Sequence, residues 1–370
     1  MKIIHIIPNL KKGGAERLVQ DICCQIENEQ LAKIYLVTFH QNVTSKLSFH
    51  ENIPSFFSLS TTSSNKSKVK ELQKFISEIA PDIIHTHLWE SELLLTQLKI
   101  GNTIRFSHLH DNMIQLSKKI RLNRVGITNK YERNFFLKNN LNNFICISKD
   151  TFEYAKRTLP TKLHNQIHLL NNSINFQKFY SKKNKSKDKI RLINIGSFSP
   201  KKNQTFAIDV VQKIIKKGYH VELTFLGDGD LIEKCKKHVT KLNLSSFVKF
   251  KGNVENVKDH LIDSNIYLHT AYYEPFGLVL LEAMAAGLPV VSLDGKGNRD
   301  FIVNGKNGYI FKNQDHNLFA EQIIELFEKQ KLHEKISSNG QKTAKKYDIK
   351  KYVIKLLKLY KESISSTNCV

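Results

Sequence analysis

Residues 271–291 read AYYEPFGLVLLEAMAAGLPVV, and this stretch decides the fold. Just before it, residues 265–270 (NIYLHT) form an apolar run with the length of a buried strand, and residues 288–293 (LPVVSL) form another. The unit is therefore strand, loop, helix, strand. Pro275 keeps Glu274 out of helical geometry and suits the start of a helix, which puts Glu274 in the loop at the strand's carboxyl end. Ligands bind at that edge in open α/β sheets. Glu282 follows after seven intervening residues. It falls inside the helix, about five residues and roughly 7 Å along the axis from Gly277. The backbone N–H groups of Phe276, Gly277 and Leu278 can meet anionic or hydroxyl oxygens between the two carboxylates, and Gly277 lets a ligand approach the main chain. Taken alone, the same residues also read as one glutamate in a loop and one on a solvated helix face.

The alternation continues outward from this unit. Upstream come a strand at 190–195, a loop at 196–202, a helix to 217, a strand at 220–226, the loop Gly227-Asp228-Gly229 and a strand at 247–250; a further strand lies at 309–311. The first half repeats the theme. A strand at 3–7 runs into Gly13-Gly14 and a helix whose Leu18, Ile22, Cys23 and Ile26 form one apolar stripe. Strands at 34–39, 82–87, 103–108, 143–148 and 167–171 alternate with helices at 69–80 and from 90, while 61–68 reads as a polar surface loop. Residues 113–140 read as helical and basic, with Lys118, Lys119, Arg121, Arg124, Lys130, Arg133 and Lys138 against Glu132 alone. This order predicts parallel sheets covered on both faces. SKKNKSKDK at 181–189 has no apolar residue and is the expected linker, dividing a first domain over 1–180 from a second over 190–345. The tail, 343–363, reads as one amphipathic helix with Tyr347, Val353, Leu356, Leu357 and Tyr360 as its apolar set.

Composition narrows the function. The chain of 370 residues is long enough for two domains, and no run of about 18 apolar residues suggests a membrane span. Five cysteines without a CxxC pair argue against a disulfide framework or a zinc site and point to a reducing, cytoplasmic setting. His85-Thr86-His87 and His108-Leu109-His110 come without accompanying Cys, Asp or Glu ligands, so no metal site is expected. A net charge of +23 raises nucleic acid as a partner, but the excess is nearly all lysine and no nucleic-acid-binding motif accompanies it. An anionic lipid surface or an anionic substrate fits that charge as well.

Two loops at strand ends suit a diphosphate. Gly13-Gly14 before a helix can offer N–H groups to a phosphate, though tight turns use Gly-Gly routinely. In residues 195–203 (IGSFSPKKN), a lysine can neutralise a departing diphosphate.

Glu-Pro-Phe-Gly, the spacing to Glu282 and the run EAMAAGLPVV resemble the nucleotide-sugar site of the retaining glycosyltransferases of family 4, and the likeness extends over nearly the whole chain. That resemblance implies the GT-B fold: two Rossmann-like α/β domains facing each other across a cleft, with the last helix, roughly 346–370, crossing back onto the first. It implies that Gly14 approaches the donor diphosphate and acceptor, and that Lys202 is the diphosphate-binding lysine. Ser197 stands where many relatives have arginine, and a hydroxyl cannot replace that charge, although Lys201 can. By the same resemblance His110 lies close to the reacting sugar, Asn253 and Val254 pack on the base, Glu282 accepts from both ribose hydroxyls, and Glu274 with the amides of Phe276, Gly277 and Leu278 holds the transferred sugar. The loop 294–300 (DGKGNRD) departs from the Gly-Gly-x-x-Glu of many relatives. The expected activity is metal-independent, retaining transfer from a nucleotide-diphosphate sugar, UDP-linked by expectation, to a surface-polysaccharide, lipopolysaccharide or lipid-linked glycan, with no cofactor. The expected location is cytoplasmic, peripheral on the inner membrane face. A nucleotide-sugar epimerase and a non-catalytic nucleotide-sugar-binding protein share the fold and stand as alternatives. A glycosidase is disfavoured because nothing argues for one protonated carboxyl of a flanking pair.

Overall fold

A computed structural model describes residues 1–11, 13–39, 56–59, 65–111, 142–182 and 188–368. The chain divides into two compact units, Met1–Ser173 with Ile349–Val370, and Ile174–Asp348.

The first unit is built on a parallel sheet in the order β3-β2-β1-β4-β5-β6-β7. Its strands are β1 (Lys2–Ile6), β2 (Lys33–Thr38), β3 (Phe56–Ser58), β4 (Ile83–His87), β5 (Ile104–Leu109), β6 (Asn142–Cys146) and β7 (Ile167–Leu169). Side chains alternate across the sheet with period two. Ile3, Ile34, Leu36, Ile83 and Phe106 meet the helices Gly14–Asn28 and Ile349–Asn368, while Ile4, Ile6, Tyr35, Val37 and Ile84 meet Leu72, Ile76, Leu94 and Leu95 on the other face. Both faces are covered, so the strands are mostly apolar. His5, His85, His87 and His108 are exceptions on the face that meets the C-terminal helix, and all are buried.

The second unit repeats the design with β8 (Ile190–Ile195), β9 (Val221–Leu226), β10 (Val248–Phe250), β11 (Ile266–His269), β12 (Val290–Leu293) and β13 (Tyr309–Phe311). Their order is β10-β9-β8-β11-β12-β13, again all parallel. In both sheets the order reverses beside the first strand. Carboxyl-end loops diverge at such a point and leave room for a ligand.

Three expectations change. Asn65–Lys68, read as loop, belong to the helix Asn65–Ile79. The tail is not one helix: Gln330–Ala344 ends in a tight turn at Lys345–Tyr347, and a new helix runs Ile349–Asn368. Tyr347 accordingly packs on Phe276 and Phe301 of the second unit, while Val353, Leu356, Leu357 and Tyr360 fill the core of the first. The described residues on either side of the expected linker, 181–182 and 188–189, both belong to the second unit, because the chain already enters that unit at Ile174. Ile174 N–H donates to the Tyr347 carbonyl at 3.0 Å, Phe176 and Phe179 are buried, and Gln341 donates to the Ser181 carbonyl. The short strand β3 has only three residues and was missed. The basic stretch 113–140 and residues 183–187 lie outside the described residues.

Candidate functional site

Lys202 ends the short turn Pro200–Lys202 that follows β8. Backbone bonds hold this turn against the segment after β11: Tyr272 N–H donates to the Lys201 carbonyl at 3.1 Å, and Thr270 Oγ1 donates to the Lys202 carbonyl at 2.9 Å. Lys202 Nζ therefore reaches Glu274 Oε2 at 2.5 Å, in a pair that is mostly buried. An ammonium has three donors, and this bond uses one. Ser197 is exposed in the same loop, and its carbonyl accepts from Gln204.

Glu274 is held from both sides. Its N–H donates to the Gly295 carbonyl at 2.8 Å and its carbonyl accepts from Gly297 N–H at 3.0 Å. The contact leaves no room for side chains: a Cβ on Gly295 would lie 2.6 Å from Glu274 Cβ, and one on Gly297 would lie 1.9 Å from the Pro275 carbonyl oxygen. Asn298 clasps the loop, accepting from Gly295 N–H and donating to Ser292 Oγ and the Leu293 carbonyl. So the loop that departs from the family pattern buttresses Glu274. Burial alone would push the Glu274 carboxyl up, but the Lys202 ammonium and His269, whose Nε2 is 3.2 Å away, outweigh it and hold the carboxyl well below the usual range. His269 here, and the contact by which the 294–298 loop holds Glu274, were not expected from the sequence. The signal for His269 was its place as the last residue of β11, five positions before Glu274.

Pro275 does not open the helix. The helix runs Leu278–Ala285, with Gly277 before it at φ +101°, a conformation that favours glycine. Phe276 is buried, and Glu282 is 1% exposed within the helix. Tyr267 in β11 relates the two carboxylates: burial, then the Glu274 charge, with Glu282 adding, push its hydroxyl well up, while it donates to the Ile195 carbonyl at 3.3 Å.

Asn253 and Val254 sit in the loop after β10, at the far edge of the sheet, with Asn253 exposed. Between them and Lys202 the strand ends carry glycines. Gly196 N–H donates to the Leu226 carbonyl and Gly227 N–H to the Gly252 carbonyl, and a Cβ on Gly227 would sit 2.2 Å from the Gly196 carbonyl oxygen. The carboxyl edge of β10-β9-β8-β11 is thus low and backbone-lined at its centre, with Asn253 and Val254 at one end and Lys202, Glu274 and Glu282 at the other. Three strand spacings span about 14 Å.

In the first unit Gly14 is the exposed first residue of Gly14–Asn28. The Glu16 carboxylate folds back so that a Cβ on Gly13 would lie 2.1 Å from its Oε2. Burial pushes that carboxyl up, against its own backbone N–H and Lys11. His110 follows β5 and is one of a cluster that spacing gave no reason to group. His5, His85 and His87, and again His87, His108 and His110, each place three ligand-type atoms within 4.8 Å of one another. Burial pushes His5 and His110 down to about 3, so both rings are neutral.

Residues 175–343, nearly the whole second unit, match the family model described as glycosyl transferases group 1. An uncharacterized glycosyltransferase of Methanocaldococcus jannaschii is 24% identical over 359 residues, 95% of each chain. The poly(ribitol-phosphate) alpha-N-acetylglucosaminyltransferase of Staphylococcus aureus is 31% identical over 169 residues, 45% of this chain and 34% of that one. Anabaena HepE, solved in complex with UDP and glucose, superposes with a TM-score of 0.83 at 19% identity, covering 99% of this chain and 100% of that one. The chain has the GT-B fold.

Proposed function

We propose that the protein is a retaining, metal-independent glycosyltransferase of family 4 that moves a sugar from a UDP-linked donor to a surface-polysaccharide, lipopolysaccharide or lipid-linked glycan. The observation that carries this reading is the Lys202–Glu274 pair at 2.5 Å on the carboxyl edge of the second sheet, with Glu282 buried in the helix just beyond. In this reading Asn253 and Val254 pack on the base and Glu282 accepts from both ribose hydroxyls. Lys202 turns its remaining donors to the diphosphate, which leaves with the electron pair of the bond to the anomeric carbon. Glu274, ionised, accepts from hydroxyls of the transferred sugar beside the Phe276, Gly277 and Leu278 amides. Neither glutamate is asked to donate a proton. His110, neutral, offers one donor and one acceptor to the reacting sugar, and Gly14 approaches the diphosphate. Ser197 contributes no charge; Lys201, with Nζ 5.9 Å from the centre of the Tyr273 ring, is the nearby cation.

UDP as the nucleotide is supported by the UDP complex of HepE, and a polymeric, phosphate-bearing acceptor by the Staphylococcus aureus relative. The basic stretch 113–140, outside the described residues, would hold the enzyme on the anionic inner face of the cytoplasmic membrane. The test offers a panel of nucleotide sugars with EDTA present and follows products by mass spectrometry and proton NMR. Nucleotide diphosphate and a transferred glycoside of unchanged anomeric configuration are expected. An epimerised nucleotide sugar formed without acceptor, or activity that returns only on adding manganese or magnesium, overturns the reading.

A further inference from the structure

The buried histidines of the first unit are joined end to end. Tyr360 Oη, from the helix Ile349–Asn368, lies 2.5 Å from His85 Nδ1 and 3.5 Å from His5 Nε2. His5 Nδ1 lies 2.8 Å from His87 Nε2, and His87 Nδ1 lies 3.1 Å from His110 Nε2. The rings cannot turn freely. His85 stacks on His108 at 5.1 Å with planes 7° apart, His108 stacks on His110 at 4.2 Å, and Tyr360 meets the Phe106 ring at 4.8 Å.

A neutral imidazole has one donor and one acceptor nitrogen, and a phenol has one proton. Because His5 and His87 each use both nitrogens, the chain from Tyr360 to His110 can be ordered in only two ways. In one, every proton points toward His110, whose Nδ1 then carries hydrogen. In the other, every proton points toward Tyr360, and His110 Nδ1 is a bare acceptor. The short Tyr360–His85 bond selects between them. The phenol has one proton and two neighbours, and His85 Nδ1 at 2.5 Å is far nearer than His5 Nε2 at 3.5 Å, so Tyr360 donates to His85 Nδ1. Tyr360 then accepts from His5 Nε2–H, His5 Nδ1 from His87 Nε2–H, and His87 Nδ1 from His110 Nε2–H.

We infer that Tyr360, His5 and His87 are positioning residues that fix His110 as the Nε2–H tautomer, leaving its Nδ1 to accept a hydrogen bond from a sugar hydroxyl. The last clause rests on the role proposed for His110; the proton order does not. A metal ion held jointly by His5 Nδ1 and His87 Nε2 is disfavoured by distance. Zinc–nitrogen bonds of about 2.0–2.1 Å in tetrahedral array keep nitrogens roughly 3.3 Å apart, and His5 and His87 are already at 2.8 Å.

Neutron diffraction from the deuterated full chain reads the order directly. Deuterium is expected on Nε2 of His5, His85, His87 and His110, and on Tyr360 Oη toward His85. Deuterium on Nδ1 of His5, His87 or His110, or a metal or water between the paired nitrogens, overturns the inference even if no transferase activity is ever found. Tyr360→Phe removes the group that orders the chain. Its crystals are expected to show deuterium redistributed at His5, His87 and His110 together, with kcat down roughly three- to tenfold, the worth of one neutral hydrogen bond, and an unchanged donor KM. An unaltered proton order in Tyr360→Phe removes Tyr360 from the role; should that variant not fold, the wild-type order alone decides.

Discussion

Lys202 Nζ and Glu274 Oε2, 72 positions apart in sequence, meet at 2.5 Å with most of both side chains withdrawn from water. Each charge is tolerable there because of the other. Removing one partner from such a pair typically costs about 3–5 kcal/mol, while replacing both is often nearly neutral. Lys202→Met and Glu274→Gln are each expected to lower the urea midpoint, and the double variant to regain part of the loss. Transfer should fall by about 10²–10³ in both single variants, the usual scale for removing one donor to a developing anion. Additive stability losses in the double variant would show that the pair does not couple.

Acid should weaken the first unit before it discharges this pair. His5 and His110 have values near 3 in the folded protein against 6.5 in an unfolded chain. Between those limits the unfolded state binds more protons, so stability falls as pH falls. From 6.5 to about pH 5 each of these two rings contributes on the order of 2 kcal/mol of loss, and the downward shifts of His85, His87 and His108 act in the same sense. The Glu274 contribution has the same sign but begins only below its ordinary 4.5. Urea titrations at about pH 7.5 and about pH 5 check this; identical midpoints would mean the rings are already protonated or solvated.

The loop behind Glu274 offers a steric test. Gly297→Ala places a methyl 1.9 Å from the Pro275 carbonyl oxygen, a contact that backbone must relieve by moving. Overpacking costs about 1–3 kcal/mol, and the displaced Glu274 should raise donor KM at least tenfold. Gly340→Ala, in the helix Gln330–Ala344 with its nearest contact at 3.4 Å from Met284 Cγ, is the control and should be neutral or slightly stabilising. Normal donor KM in Gly297→Ala would free the loop from any part in the site.

Membrane attachment is tested by sedimentation with vesicles of anionic and neutral lipid at low and high salt. Each cation near an anionic surface contributes on the order of 1 kcal/mol, screened by salt. Changing Lys118, Lys119, Arg121 and Arg124 to Ser should therefore abolish most binding to the anionic vesicles. Equal binding to both lipids would refute docking and leave the transferase reading intact.

Strand positions were legible because a buried parallel strand leaves a dense apolar run, as at β8 and β13, where expected and observed bounds coincide. The loop placement of Glu274 and the helix placement of Glu282 were legible because Pro275 and Gly277 punctuate the chain beside them. What sequence could not show was contact made through the fold. His269 looked like one polar residue in an apolar strand until Glu274 folded back beside it. Spacing groups the histidines only as His85 with His87 and His108 with His110, whereas the sheet register sets His5 opposite His85 and His108 opposite His87. The break at Lys345–Tyr347 was hidden because Tyr347 is apolar at helical spacing with Val353 and Tyr360 yet packs in the other unit.

Glu282 gives the sharpest check on the donor site. Its carboxylate is 1% exposed in the helix Leu278–Ala285, just after the glycine turn that carries Glu274. A carboxylate can accept two hydrogen bonds from a vicinal diol, and bonds to a charged acceptor are worth about 1.5–3 kcal/mol each. Glu282→Ala should weaken nucleotide binding at least tenfold, by calorimetry with the nucleotide alone. Glu282→Gln keeps the shape and one acceptor and should recover part of the loss. Since Glu274 is assigned to the sugar, Glu274→Gln should leave binding of the free nucleotide within about threefold while reducing transfer. Wild-type nucleotide affinity in Glu282→Ala would take this residue out of the site, and a large loss in Glu274→Gln would reverse the two assignments.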